Sequence, residues 1–459
     1  MSRVPAVVLA AMVAASCATA PIRSEAPSVP LPAAYAASAS STEPALATQP
    51  WTTVFQDPAL QVLIRTALDA NTNLQMAAVR VLEARASLGI VRADQMPQVN
   101  ASLTAGGQRT PALGNSDAKT AGAIAIEGAA SWDLDFWGRL RSASSAARAR
   151  VLAAEWGRRA VVTALISDVA TSYFSLRAFD DELDIARRTL ATRQSSLDLA
   201  RVREQGGATT LLDVRQAEQL VYDATSTIAD LERRTAIEEH TLAVLLGRTD
   251  AVVSRDRSAA VQTLLPAVPA GLPSNLLERR PDIRQAEQGV VAASAELASA
   301  RAAFFPRVTL TGAGGIASTA LTSLFSGGAG LWSVAASALQ PVFNGGRIKS
   351  QQALADARRQ EAILSYAGTV QQAFREAADA LVSHAKVREY RAQQELLREA
   401  AADARRLADL RYQGGATSYL EVLDADTRLF AAELGFANAR REELNSYVEV
   451  YRALGGGWQ

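Results

Sequence analysis

Apolar and polar residues along this chain alternate between two rhythms, and the rhythms recur in the same order twice. From Asp57-Pro58 to Gln95 the spacing is helical, with no internal glycine before Gly89. Asp57 suits an N-cap with Pro58 at the first helical position, and Pro97 stops the helix. Val99, Ala101, Leu103 and Ala105 then alternate with Asn100, Ser102 and Thr104, the period of two of a half-covered strand. Residues 106–121, with Gly, Pro, Asn and Ser, predict a loop. Alternation resumes with Ile124, Ile126, Gly128, Ala130, Trp132 and Leu134 on one face and Ala125, Glu127, Ala129, Ser131 and Asp133 on the other. Helical spacing without a proline follows from about Gly138 to Arg203, on the order of 100 Å at ~1.5 Å per residue. Gly206-Gly207 breaks it, and a second helix is predicted from Thr209 to Leu246. Within that helix Val214, Ala217, Val221, Ala224, Ile228 and Leu231 step by three and four, a coiled-coil seam.

The second half repeats this plan. Arg203-Glu204-Gln205-Gly206-Gly207-Ala208-Thr209 returns 208 residues later as Arg411-Tyr412-Gln413-Gly414-Gly415-Ala416-Thr417. Pro97-Gln98-Val99 meets Pro306-Arg307-Val308, and the seam returns as Val422, Ala425, Leu429, Ala432, Phe436 and Ala439. Val308, Leu310 and Gly312 oppose Arg307, Thr309 and Thr311 in a third strand, and a fourth is expected near residues 330–343. A period this long marks a duplicated domain, not a solenoid array. Four strands per chain are too few for a closed transmembrane barrel, which needs about eight. The strands therefore either belong to a barrel shared by several chains or form soluble hairpins on a helical body; the pattern alone leaves both open.

Composition narrows the classes. Lys+Arg and Asp+Glu both number 47, so no field for nucleic acid is expected. No internal stretch approaches the ~18 apolar residues of a spanning helix. Residues 1–17 have the form of an export signal: Arg3, an apolar run from Pro5 to Ala15, then Ala14-Ala15-Ser16-Cys17, similar to a lipoprotein cleavage box with Cys17 as the acylated residue. Plain cleavage near Ala18 or Ala20 is the alternative. Cys17 is the only cysteine, which excludes an intrachain disulfide. Residues 18–50, rich in Pro, Ala, Ser and Thr, predict a flexible tether.

Candidate chemistry is sparse. His240 and His384 each stand alone in helical spacing, with no metal or nucleophile pattern around them. The two Gly-Gly turns lack the Lys-Ser/Thr of a phosphate loop; a helix-breaking turn needs glycine in any case. No enzyme and no cofactor are expected. Asp213, Glu421 and Asp424 fall within one or two helical turns of the glycines, and a solvated helix face would explain them as well.

Several strings together carry a resemblance. They are Trp51, Phe55, Asp57-Pro58, Leu60, Ala67-Leu68, Asn71, Asn73-Leu74 and Ala77, then Trp137-Gly138-Arg139, Leu277-Glu278-Arg279-Arg280-Pro281-Asp282-Ile283 with Ala286-Glu287, Phe304-Phe305-Pro306 and the terminal Ala453-Leu454-Gly455-Gly456-Gly457-Trp458. From about residue 51 onward the chain resembles an outer membrane efflux lipoprotein of the TolC-like superfamily, in its NodT branch. Ala14, where Leu or Val is usual, is the main departure.

The resemblance implies a mainly α fold with a small β part. A long coiled-coil α-barrel would join four strands per chain in a homotrimer whose twelve strands close one transmembrane β-barrel. It implies an outer-membrane, lipid-anchored protein with a large periplasmic portion, exporting small molecules received from an inner-membrane pump, of RND type, through a periplasmic adaptor. The boundaries would be 1–17 signal, 18–50 tether, 51–250 first efflux repeat, 251–272 linker and 273–459 second repeat. Gly206, Gly207, Ala208, Thr209 and Gly414, Gly415, Ala416, Thr417 match the adaptor-contacting tips. Asp213 and Tyr412 match positions that link neighbouring helices in a closed gate, Glu421 and Asp424 an acidic ring at its constriction. The alternatives are a lipid-anchored periplasmic scaffold without a pore, and the outer component of a type I secretion system.

Overall fold

The structure, a computed structural model, describes residues 48–111, 119–250 and 273–458. The expected signal, Cys17, most of the expected tether and the expected 251–272 linker lie outside the described residues. The element order is α1 (Trp51–Val54), α2 (Pro58–Ala70), α3 (Thr72–Ala93), β1 (Gln98–Thr110), β2 (Lys119–Leu134), α4 (Arg139–Gln205) and α5 (Leu211–Leu245) in the first half. In the second it is α6 (Pro273–Arg279), α7 (Pro281–Ala302), β3 (Arg307–Ser318), a 3₁₀ turn (Leu321–Ser323), β4 (Gly330–Leu339), α8 (Arg347–Gln413) and α9 (Tyr419–Ala453). The duplication is visible in the helix lengths: α3 and α7 have 22 residues each, α4 and α8 have 67, α5 and α9 have 35.

Two compact units are present. One gathers Val79–Glu155 with Gln285–Gly368 and contains all four strands. These form a single antiparallel sheet in the order β1-β2-β3-β4. The register keeps the expected faces intact. Leu103 lies opposite Ile126 and Ile126 opposite Ile316, while Trp132 pairs with Leu310 and Gly312 with Val334. Ser102 lies opposite Glu127, on the other face. The apolar face stays open: Val99, Leu103, Val334 and Trp332 are all exposed, Trp332 by 82%.

Two strands run further than the alternation indicates. Residues 106–110 and 119–121, expected in a loop, belong to the ladder, where Gly106 pairs with Ala123 and Gly107 with Gly122. Backbone pairing needs no side chain, so glycine-rich strand passes for a turn. At 13, 16, 12 and 10 residues, the strands reach or exceed the ~9–11 that cross a bilayer. Aromatic residues fasten their helix-side ends. The Trp132 indole N–H donates to the Gln95 carbonyl at 2.9 Å, and Trp137 stacks on Phe305 at 5.0 Å while donating to the Pro306 carbonyl at 2.7 Å. Asp133 pairs with Arg307 at 2.5 Å and accepts from the Thr309 hydroxyl at 2.8 Å, tying β2 to β3.

The other unit gathers 48–78, 156–284 and 369–458 as far as they are described, and is helical. Asp57 caps α2 as expected, accepting from Ala59 N at 2.8 Å; its other oxygen accepts from the Tyr173 hydroxyl at 2.7 Å. The single helix expected over 57–95 is two. Asn71 is extended (φ −64°, ψ 124°), accepts from Leu74 N at 3.0 Å and donates to the Leu245 carbonyl at 2.9 Å. The Leu74 bond caps α3, and the Leu245 bond ties the junction to the end of α5. Gly247, at φ +68°, passes so close that a Cβ there would run into the Ala70 carbonyl. The α5 seam is buried at Val214, Ala217, Val221, Ala224 and Leu231, and the α9 seam at Val422, Ala425, Ala432 and Ala439. Arg280, inside the Leu277–Ile283 string, donates to Asp282 at 2.6 Å, to Glu376 at 2.7 Å and to the Ala453 carbonyl at 3.1 Å. It thereby holds α9 where the chain approaches its end.

Candidate functional site

The two glycine turns join α4 to α5 and α8 to α9, and their backbones match. Gly207 and Gly415 have φ +73° and +72°, the left-handed region that closes a helix C-terminus. Ala208 N donates to the Arg203 carbonyl and Ala416 N to the Arg411 carbonyl, each at 2.8 Å. No atom lies within 4 Å of where a Cβ would sit on either glycine, so both turns present bare backbone. The residues matched to the tips, Gly206–Thr209 and Gly414–Thr417, are the turns themselves.

The helices that leave the turns start differently. Thr210 caps α5 in a reciprocal box with Asp213: Thr210 N donates to Asp213 Oδ2 at 3.0 Å and Asp213 N donates to Thr210 Oγ1 at 3.4 Å. The Thr209 hydroxyl adds a bond to the same oxygen at 2.6 Å. The Thr209 bond first, then those from Thr210, hold the Asp213 carboxyl below its ordinary value. In the second repeat Ser418 makes no side-chain cap, and Glu421 takes over: it accepts from the Thr417 hydroxyl and pairs with Arg411 at 2.7 Å.

Tyr412 and Asp213 do not meet within the chain. The Tyr412 hydroxyl is engaged by Arg203, whose guanidinium also lies 5.5 Å from the Tyr412 ring centroid, while Asp213 is occupied by Thr209 and Thr210. Arg203 therefore links α4 to α8 across the two turns. Tyr412 also packs on Tyr419 at 5.3 Å, over the buried Ala408, Val422 and Ala425.

The two acids of the expected ring do share a surface. Glu421 and Asp424 line one groove between α8 and α9 of about 660 Å³, floored by Ala400, Ala404, Ala408 and Ala432. Neither acid stands alone: Asp424 pairs with Arg428 at 2.8 Å, as Glu421 does with Arg411. Counted with their partners, the carboxylates add no net charge there.

A second cluster escaped the sequence reading. Arg193 on α4 is buried, 3% exposed. It donates to Asp426 on α9 at 2.9 Å, to Asp223 on α5 at 3.0 Å and to the Leu220 carbonyl at 2.9 Å, with its guanidinium 4.7 Å from the Phe430 ring centroid. Arg405 on α8 reaches the same Asp426 at 3.5 Å and Asp409 at 2.6 Å. Four helices meet in one ionic network. A signal existed: Leu190, Arg193, Leu197 and Ala200 step by three, four and three, so Arg193 occupies a seam position that an apolar residue would normally fill.

His384 is buried, 2.9 Å from the Ser446 hydroxyl, and its pKa is lowered to about 4 by burial and by the nearby Arg388. His240 is exposed. Among the described residues no group of three His, Cys, Asp or Glu is placed to hold a metal, and no helix is long and apolar enough to cross a membrane. An open antiparallel sheet with an exposed apolar face, and paired helices that end in matching turns, are features of an outer-membrane channel protein.

Comparison with known proteins agrees. The family described as outer membrane efflux protein matches residues 63–248 and 272–456. The chain is 35% identical over 458 residues to the outer membrane protein OprJ of Pseudomonas aeruginosa, covering 98% of this chain and 95% of that one. It is 39% identical over 415 residues to the toluene efflux pump outer membrane protein TtgF of Pseudomonas putida, covering 89% and 85%. The crystal structure of the open state of the Neisseria gonorrhoeae MtrE outer membrane channel superposes with a TM-score of 0.87 at 31% identity, covering 96% of this chain and 99% of that one. The chain belongs to the outer membrane efflux protein family, within the TolC-like superfamily. It is an outer-membrane efflux channel protein with a large periplasmic helical portion.

Proposed function

We propose that three copies of this chain form the outer conduit of a tripartite efflux system, passing small molecules from an inner-membrane pump of RND type through a periplasmic adaptor, without catalytic chemistry of its own. One observation carries the reading: a four-stranded sheet that is open at β1 and β4 and apolar on an exposed face. In hydrocarbon each unpaired N–H or C=O costs several kcal/mol, so the edges must pair with other copies. Three copies give twelve strands. A scaffold without a pore has no use for such a face.

The tips Gly206–Thr209 and Gly414–Thr417 would meet the adaptor, because bare backbone at φ near +70° offers close approach. Asp213, Tyr412, Glu421 and Asp424 would line and gate the entrance, with Arg203 as a further member through its bond to Tyr412. Acylation of Cys17 and a tether over 18–50 would add an anchor, and 51–250 and 273–459 would be the two efflux repeats around a 251–272 linker. Relatives named for toluene and antibiotic efflux pumps favour apolar small molecules as cargo.

The test is complementation. A strain without its own outer efflux channels is supplied with this chain, its cognate adaptor and its cognate pump, and accumulation of a fluorescent pump substrate is followed. Accumulation should fall only when all three are present. Unchanged accumulation, with the chain in the outer membrane and the other two expressed, overturns the reading.

A further inference from the structure

The strand-bearing unit has an end whose chemistry the channel role leaves unused. At the helix side of the sheet, Gln98, Leu134, Arg307 and Leu339 end their strands nearly in register, and the chain crosses there into α3, α4, α7 and α8. Aromatic side chains stand open at these crossings. Phe343 is 92% exposed, and Phe136 is exposed as well. Both follow directly on strands whose apolar face is exposed, at the ends where aromatic rings favour the boundary between hydrocarbon and headgroups.

The same crossings carry cations. Arg92, Arg301, Arg347 and Lys349 are exposed and have no ion-pair partner among the described residues. Across the same crossings (92–98, 133–141, 301–307 and 339–349) there are three acids. Asp133 and Asp135 are already paired, with Arg307 and Arg141. Asp94 alone is left against the four free cations. This end of the sheet is therefore both amphipathic and net basic.

We propose that this rim binds anionic phospholipid headgroups of the leaflet that faces the helices. Arg301, Arg347 and Lys349 would each meet a headgroup phosphate, and Phe136 and Phe343 the upper acyl chains. The inference needs only the outer-membrane location, and stands whether or not the gate residues act as proposed above. A phospholipid, not a free anion, is the expected occupant because the crossings that carry the cations also carry exposed rings, which only an acyl chain would cover.

The full chain, purified in mild detergent, is titrated with phosphatidylglycerol and, separately, with phosphatidylcholine of the same acyl chains, and bound lipids are counted by native mass spectrometry. Phosphatidylglycerol should bind about tenfold more tightly, and the difference should shrink at about 0.5 M salt, where the screening length falls to a few Å. R301Q/R347Q/K349Q should bring phosphatidylglycerol down to the phosphatidylcholine level. F136S/F343S should weaken both lipids alike and keep the preference, with circular dichroism and subunit stoichiometry unchanged in both variants. Equal binding of the two lipids by the wild-type protein overturns the proposal. So does a preference retained in R301Q/R347Q/K349Q, or displacement of phosphatidylglycerol by inorganic phosphate, which would mark a simple anion site.

Discussion

Replacing Arg193 by Met removes the charge at the meeting point of four helices while keeping much of the side-chain volume. The structure sets the size of the effect. Asp223 has a side chain 55% exposed, so losing its partner costs less than ~1 kcal/mol once water takes over. Asp426 is different, with 14% exposure. Breaking a fully buried pair costs about 3–5 kcal/mol, but Asp426 keeps Arg405 at 3.5 Å, which lowers the expectation to about 2–3 kcal/mol. The loss is local to α4 and α9, so hydrogen exchange followed by mass spectrometry is the right assay. Peptides spanning 190–200 and 422–432 should exchange about 30- to 150-fold faster, at 1.4 kcal/mol per factor of ten. R193M/D426N should cost less than the sum of the two single variants, because the second change removes the stranded carboxylate. Exchange within threefold of wild type in R193M, or strict additivity in the double variant, would refute the network as a support of this region.

Gly207→Val and Gly415→Val face only backbone strain, since nothing lies near either Cβ position; each should cost about 1–3 kcal/mol locally and weaken adaptor crosslinking and export with assembly intact. Gly247→Ala should be far worse for folding, measured as loss of folded protein in the outer membrane, because the added carbon meets the Ala70 carbonyl. E421A/D424A leaves Arg411 and Arg428 without their acids, so the reversal potential in planar bilayers should move toward anion preference; an unchanged potential removes these acids from the pore. Because His384 titrates at about 4 when folded and near 6.5 when unfolded, its contribution is complete above pH 6.5 and is lost progressively as pH falls toward 4. Thermal melts between those pH values should show a slope that H384Q reduces.

How much of this was legible in the chain depends on whether the cause is local. Strand faces, glycine turns and seams are local periodicities, and Leu103 opposite Ile126 or Val214 in a buried seam follow from them. The break at Asn71 is hidden because helical spacing continues on both sides: its side chain caps α3 locally through Leu74 N, and a carbonyl 174 residues away fixes the junction. Strand pairing across Gly106-Gly107 is invisible to side-chain pattern for a similar reason. At the tips, the family resemblance paired Tyr412 with Asp213 by analogy; within the chain the Thr209-Thr210 pair beside Asp213 supplies its hydrogen bonds, and Arg203 reaches Tyr412. The acids are legible in the chain, and so is one arginine partner: Asp424 and Arg428 stand four apart on one helix, the spacing of an ion pair.

The central claim is that this open sheet closes only in company. Native mass spectrometry of the protein extracted from outer membranes in mild detergent measures that directly. The account predicts an assembly of three chains that loses its β-sheet signal when the chains are separated. A single chain that keeps its full sheet and helix content in detergent would contradict it.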